Sequence, residues 1–121
     1  MGRADAARQA DGARAEELAA RHLEQHGLAI VARNVRNRFG EIDIVARDGA
    51  VLVFVEVRLR RSGAYGGAAG SITAAKRARL VKAAQAYLAS LGREPPCQFD
   101  VILLESLDAA RCEWLRDVVS T

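Results

Sequence analysis

Glu41, Asp43 and Glu56 stand in a stretch, residues 40–61 (GEIDIVARDGAVLVFVEVRLRR), that is otherwise dominated by aliphatic and β-branched residues. Arg58 follows Glu56 by two positions. Carboxylates are depleted in strands, and burying one without a partner is costly, so three of them here point to a task. The chemistry they suit is the holding of a hard cation. The stretch reads as two strands around an Asp48-Gly49 turn, a strong hairpin signal. Side chains alternate along a strand, so Glu41 and Asp43 share a face and Glu56 and Arg58 share a face. A two-residue Asp48-Gly49 loop pairs Arg47 with Ala50. Counting outward then sets Glu41 opposite Glu56, and Asp43 opposite Phe54 and diagonal to Glu56. Like charges directly opposed in a sheet repel, so a divalent cation or the nearby arginines are expected between them. The count is sensitive, since one extra loop residue would send the carboxylates to opposite faces.

The elements that must position these groups follow from periodicity. Residues 1–10 read as a flexible lead-in. Residues 11–26 read as a helix, with Ala15, Leu18, Ala19 and Leu23 at spacings of three and four and Gly27 placed to stop it. Glu16 lies close to that stripe; taken alone it is a solvated helix acid. Residues 28–35 read as a strand, 37–40 as a turn, and 51–59 as the strand after the hairpin. Residues 62–70 (SGAYGGAAG) read as a glycine-rich loop beside the site, carrying Tyr65. A second helix is expected from Thr73, its N-cap, to about Leu91, with Leu80, Val81, Ala84, Tyr87, Leu88 and Leu91 buried. Its first turn carries Lys76 and Arg77, where cations oppose the helix dipole unless an anion lies close. Gly92 to Pro96 breaks the chain, and residues 98–105 and 112–118 complete the strands around a turn at 108–110. Asp100 is expected to face solvent or the site edge. The order α-β-β-β-α-β-β makes an α/β sandwich with a mixed sheet.

Composition narrows the function classes. The 121 residues suit one domain, and half of them are hydrophobic, enough for a core. No apolar run is long enough to span a membrane and no export signal is visible, so the cytoplasm is the expected compartment. The two cysteines, Cys97 and Cys112, lack zinc-ligand spacing and read as reduced structural thiols. Net charge is only +3, but the cations cluster. Arg33, Arg36 and Arg38 form one group, Arg58, Arg60 and Arg61 a second, and Lys76, Arg77, Arg79 and Lys82 a third. Each cluster alone is an ordinary solvated surface. Three around one acidic centre suit a polyanion such as nucleic acid, because arginine forks match phosphate oxygens.

The spacing E-x-D, then E-x-R, resembles the PD-(D/E)XK, or restriction-endonuclease-like, nucleases. The strings GEIDIVARDG and VFVEVRLR, the YGGA loop and Lys76 together resemble the YraN-like family of predicted endonucleases, distantly similar to archaeal Holliday-junction resolvases. Glu16, Ala19, Leu23, Gly27 and Asn34 fit its N-terminal pattern and Phe99-Asp100-Val101 its last strand, so the likeness covers about residues 12–104. The resemblance implies a restriction-endonuclease-like sandwich whose site lies at strand ends. It implies Mg²⁺ or Mn²⁺ held by Asp43, Glu56 and the Val57 carbonyl, with a retained water as nucleophile on a phosphodiester. Glu41 would complete the shell or orient the water, and Glu16 would stand at the site edge. Arg36, Arg38, Arg60, Arg61, Tyr65, Lys76 and Arg77 would meet the nucleic acid, expected to be DNA, branched or single-stranded. Resolvase-like proteins act as dimers, so a homodimer presenting two sites is expected.

One departure bears on activity. Arg58 stands where the superfamily usually has lysine, and arginine stays protonated and cannot serve as a base, though it can hold a phosphate. Two readings follow: a metal-dependent nuclease, or a nucleic-acid-binding module on a nuclease fold with weak or no catalysis. A third, a purely structural ion-pair network, leaves excess buried negative charge, since Arg58 alone cannot balance three acids.

Overall fold

A computed structural model gives the structure of residues 3–59, 73–105, 107 and 112–119. Its elements come in the expected order: α1 (Arg3–Gln25), β1 (Ala29–Asn37), β2 (Gly40–Asp48), β3 (Val51–Leu59), α2 (Ala74–Leu91), β4 (Cys97–Leu104) and β5 (Cys112–Leu115). The strands form one sheet in sequence order, antiparallel throughout except for β3 and β4, which run parallel. A parallel neighbour cannot be reached by a tight hairpin, and the segment containing α2 makes the crossover. No helix among the described residues is long and apolar enough to cross a membrane.

Alternation along β3 divides the core into two layers. Val53 and Val55 pack with Ile44, Ala46 and Ile102 beneath Ala15, Leu18, Ala19 and Leu23 of α1. Leu52 and Phe54 point the other way, packing with Val45 and Phe99 against Leu80, Ala83 and Ala84 of α2. The helices therefore cover opposite faces of the sheet. The α1 stripe buries as its spacing requires. In α2 the buried set is Leu80, Ala83 and Ala84, while Leu91, expected in the stripe, is 38% exposed at the helix end.

The caps follow local chemistry. Gly27 takes φ +89°, and the Leu23 carbonyl accepts from both His26 N–H and Leu28 N–H, ending α1. Thr73 is the N-cap of α2, its Oγ1 accepting from Lys76 N–H at 3.1 Å. Gly92, in the left-handed region, closes the same helix. At its other end α1 starts at Arg3, eight residues before the expected Asp11. The reason is propensity: the first ten residues include four alanines, which favour helix without any apolar stripe.

The central hairpin differs from the expected register. Asp48 pairs with Val51, Arg47 with Leu52 and Ile44 with Val55, so the loop is Gly49-Ala50. Gly49 holds φ +60° as first loop residue, the position at which a two-residue loop needs glycine's freedom. Asp48 stays in the strand, where Oδ2 accepts from an Arg116 amino group at 3.1 Å. Both strands thus move one place along, and Glu41 does not face Glu56. It pairs instead with Arg36 of β1.

Asp100, expected toward solvent or the site edge, is fully buried. Its carboxylate accepts from Trp114 Nε1 at 2.8 Å, Gln98 Nε2 at 2.9 Å and Asp117 N–H at 2.9 Å, with Arg116 Nε at 3.8 Å. A buried carboxylate survives when donors surround it, and these donors fasten β5 and the segment after it to β4. Asp100→Ala should therefore cost about 3 kcal/mol or more, and Trp114→Phe about 1–2 kcal/mol, in urea unfolding at pH 7. A loss below about 1 kcal/mol for Asp100→Ala would show that the network does not hold the sheet's edge.

Candidate metal and nucleic-acid site

The β2–β3 ladder gives way where the acids begin. Beyond the Ile44–Val55 pair, the N–H of Val57 donates to Asp43 Oδ2 at 2.8 Å. A backbone donor in the sheet needs an acceptor, and here a side chain supplies it. By alternation with Val55 and Val57, Glu56 and Arg58 turn to the α2 side of β3. There Arg58 Nη2 lies 3.1 Å from Glu56 Oε1, while Arg58 Nε is buried with no acceptor among the described residues. A cleft of about 240 Å³ opens beside them, with Gly40, Glu41, Glu56 and Arg58 on the strand wall and Lys76 and Arg79 on the helix wall.

Glu16, on α1, is linked to Glu41 through Asn34. With its amide turned toward the acids, Asn34 Nδ2 donates to Glu16 Oε1 at 2.9 Å and Glu41 Oε1 at 3.2 Å. Asn34 holds φ +52°, a conformation that asparagine tolerates better than most residues. Glu41 also meets Arg36, whose Nε is 3.3 Å from Glu41 Oε2. Glu17, the next acid on α1, is occupied elsewhere, by Arg33 at 2.7 Å and Arg21 at 3.2 Å.

Glu16, Glu41 and Glu56 all act electrostatically on Asp43. The Asp43 carboxyl is pushed up to about 7 as the net result: burial raises it most, the Val57 N–H lowers it, and Glu16, Glu56 and Glu41 raise it. Burial, then Glu41, likewise raises Glu16, against Arg33 and Arg36. Among the described residues Asp43 has no cationic partner within an ion pair, and no three or more histidine, cysteine or acidic side chains are grouped so as to hold a metal. The Asp43–Glu56 pair still fits a hard ion that keeps most of its water, which needs only one or two carboxylates. An ion at Asp43 would also offset the charge that burial opposes.

The other expected contacts are placed as follows. Arg36 is largely exposed beside Glu41, and the Arg38 guanidinium lies 4.7 Å over the ring of its neighbour Phe39. Arg77 is exposed on α2 and does not line the cleft, whereas Lys76 does. Val57 is recorded at the site through its N–H. Arg60, Arg61, Tyr65 and the glycine-rich loop lie outside the described residues, as does the turn at 108–110. Two contributors stand in the sequence only as part of a pattern or a charge cluster, with no site role expected of them: Asn34, an asparagine interrupting an otherwise β-forming run, and Arg79, one turn after Lys76 on the same helix.

The fold and the cleft define a mixed α/β protein with an acid cluster and adjacent cations at the N-terminal end of β2 and the C-terminal end of β3. Residues 15–104 match the profile described as uncharacterised protein family UPF0102, and the chain belongs to that family. A UPF0102 protein of Methylobacillus flagellatus is 52% identical over 106 residues, spanning 88% of this chain and 93% of the relative. One from Cupriavidus taiwanensis is 56% identical over 111 residues, 90% of this chain and 82% of the relative. One from Symbiobacterium thermophilum is 54% identical over 95 residues, 78% and 80% of the two chains.

The perturbed acid sets a pH dependence. A carboxyl whose folded pKa exceeds its unfolded value is protonated preferentially by the folded state, so the native state loses stability as pH rises from 3.8 to about 7. Asparagine keeps an oxygen for the Val57 N–H but carries no charge. Asp43→Asn should therefore match the wild type's unfolding temperature near pH 4 and exceed it by several degrees at pH 8 in metal-free buffer. A difference that stays flat across this range would contradict a strongly desolvated Asp43.

Proposed function

We propose that this protein is a metal-dependent nuclease that cleaves phosphodiester bonds in DNA, with branched or single-stranded forms as substrates. The observation carrying this reading is the desolvated Asp43 carboxylate, held by the N–H of Val57, the residue between Glu56 and Arg58, which themselves line a cleft with Lys76 and Arg79. Acids with a vacant charge requirement suit Mg²⁺ or Mn²⁺; cations alongside suit phosphate. The likeness to YraN-like and restriction-endonuclease-like proteins supports the same reading.

Asp43 and Glu56 would hold the ion, with the Val57 carbonyl as a further oxygen donor. The ion would supply Lewis-acid stabilisation of the phosphate and a water of lowered pKa. The protein's own groups do the rest. The Val57 N–H fixes the Asp43 carboxylate, and Asn34 fixes Glu16 and Glu41 at the edge, where Glu41 would orient the attacking water. An arginine cannot serve as a base, so the part of Arg58 is to hold the scissile phosphate and stabilise charge that develops there. An isologous dimer would offer two such clefts to a two-fold substrate.

Single-stranded, duplex and four-way-junction DNA incubated with Mg²⁺ or Mn²⁺ should reveal cleavage of at least one form. EDTA should abolish it, and Asp43→Asn and Glu56→Gln should each reduce it about 100-fold or more. Equal cutting by wild type and both variants would mean that these acids are not the site. One observation favours a second reading, a binding module: Glu56 is already paired with Arg58 at 3.1 Å, which neutralises one of the two acids. That reading expects DNA binding in EDTA at low salt and no cleavage of any form.

A further inference from the structure

We propose that Lys76 and Arg79, on the helix wall of the cleft, form a metal-independent subsite for a backbone phosphate of the nucleic acid, separate from the phosphate held at the acids. This rests on the reading of the cleft as facing nucleic acid, and it assigns Arg79 a role that the acidic centre does not need.

The two walls differ in how their charges are satisfied. On the strand wall each acid already has a cation: Glu41 has Arg36 at 3.3 Å, and Glu56 has Arg58 at 3.1 Å. On the helix wall neither Lys76 nor Arg79 makes an ion pair among the described residues. No acid occupies the first turn of α2 to offset Lys76. Cations at that end of a helix oppose its dipole, so an arriving anion gains from both the side chain and the helix end. A spacing of three residues puts Lys76 and Arg79 one above the other on a single helix face, and that face lines the cleft.

Placement separates these cations from their neighbour. Arg77 is exposed but turned away from the cleft lining. The backbone holds the wall close: the position a Cβ would take on Gly40 is 4.0 Å from the Arg79 carbonyl, so α2 sits directly across from the start of β2. A strand of nucleic acid with one phosphate at Glu56 and Arg58 would thus bring a second phosphate to Lys76 and Arg79. Phosphodiester backbone is the occupant, because it repeats phosphates along its length, so that one held at Glu56 and Arg58 leaves a neighbour for the helix wall.

Fluorescence anisotropy with a short labelled single-stranded oligodeoxynucleotide, in EDTA at low salt, tests the subsite without any metal. Lys76→Ala and Arg79→Ala should each weaken binding about 5-fold and flatten the slope of log K against log salt by about 0.7, whereas Arg77→Ala should change affinity less than about 2-fold. Arg79→Lys should retain most of the binding, and unchanged unfolding temperatures should accompany all four variants. Equal losses from all three alanine variants would mean diffuse surface charge and overturn the subsite. So would displacement of the oligonucleotide by inorganic phosphate at matched ionic strength, which would make it a site for the free anion. Because the assay contains no divalent ion, its failure leaves the cleavage test untouched, and failure of cleavage leaves this result standing.

Discussion

The hydrogen bond from Val57 N–H to the Asp43 carboxylate is the contact on which the functional end of the molecule depends. It marks the place where β2 and β3 cease to pair backbone to backbone. An unpaired sheet donor would be costly, and a side-chain acceptor lets the ladder end without that cost. The consequence is a carboxylate kept in place by the main chain, close to Glu16, Glu41 and Glu56, in surroundings that oppose its charge. The remainder of the fold makes this tenable. Two helices seal the two faces of the sheet with separate apolar layers, so the acids are gathered at one end of it.

Two aspartates, Asp100 buried and Asp43 half-buried, show how environment divides structural from chemical roles. Asp100 is fully enclosed, yet an indole, an amide and a main-chain N–H all donate to it. Its charge is spent on holding β5 and the chain beyond. Among the described residues Asp43 has one donor and three acidic neighbours. A group so poorly satisfied has a strong tendency to take up a proton or a cation, and perturbed carboxyls of this kind cluster at functional sites.

Much of the architecture was legible in the sequence because it is written in short-range signals. The three-four spacing of Ala15, Leu18, Ala19 and Leu23, the Thr73 cap and the Gly27 and Gly92 stops all carry local physics. The element order followed. Register was not legible, since Asp48-Gly49 and Gly49-Ala50 are both workable two-residue loops and only the three-dimensional packing selects between them. The burial of Asp100 was hidden for a related reason: its donors, Trp114 and Asp117, come from a distant segment. The gathering of Glu16 with Glu41 depends on Asn34 adopting a left-handed backbone, which no periodicity encodes. The presence of acids at the strand ends was readable as a pattern of types, but their pairing was not, and the meeting of Glu56 and Arg58 with Lys76 and Arg79 across one cleft required the position of α2.

The central claim is that Asp43 and Glu56 bind a divalent ion. The most direct measurement is calorimetric titration of Mn²⁺ into the purified protein at pH 8, repeated with Glu56→Gln and at pH 5.5. Saturable binding to one site is expected at pH 8, weakened at least about tenfold at pH 5.5 as the Asp43 carboxyl protonates, and lost in the variant. Absence of saturable heat at pH 8, or binding that Glu56→Gln leaves intact, would contradict the assignment of this site.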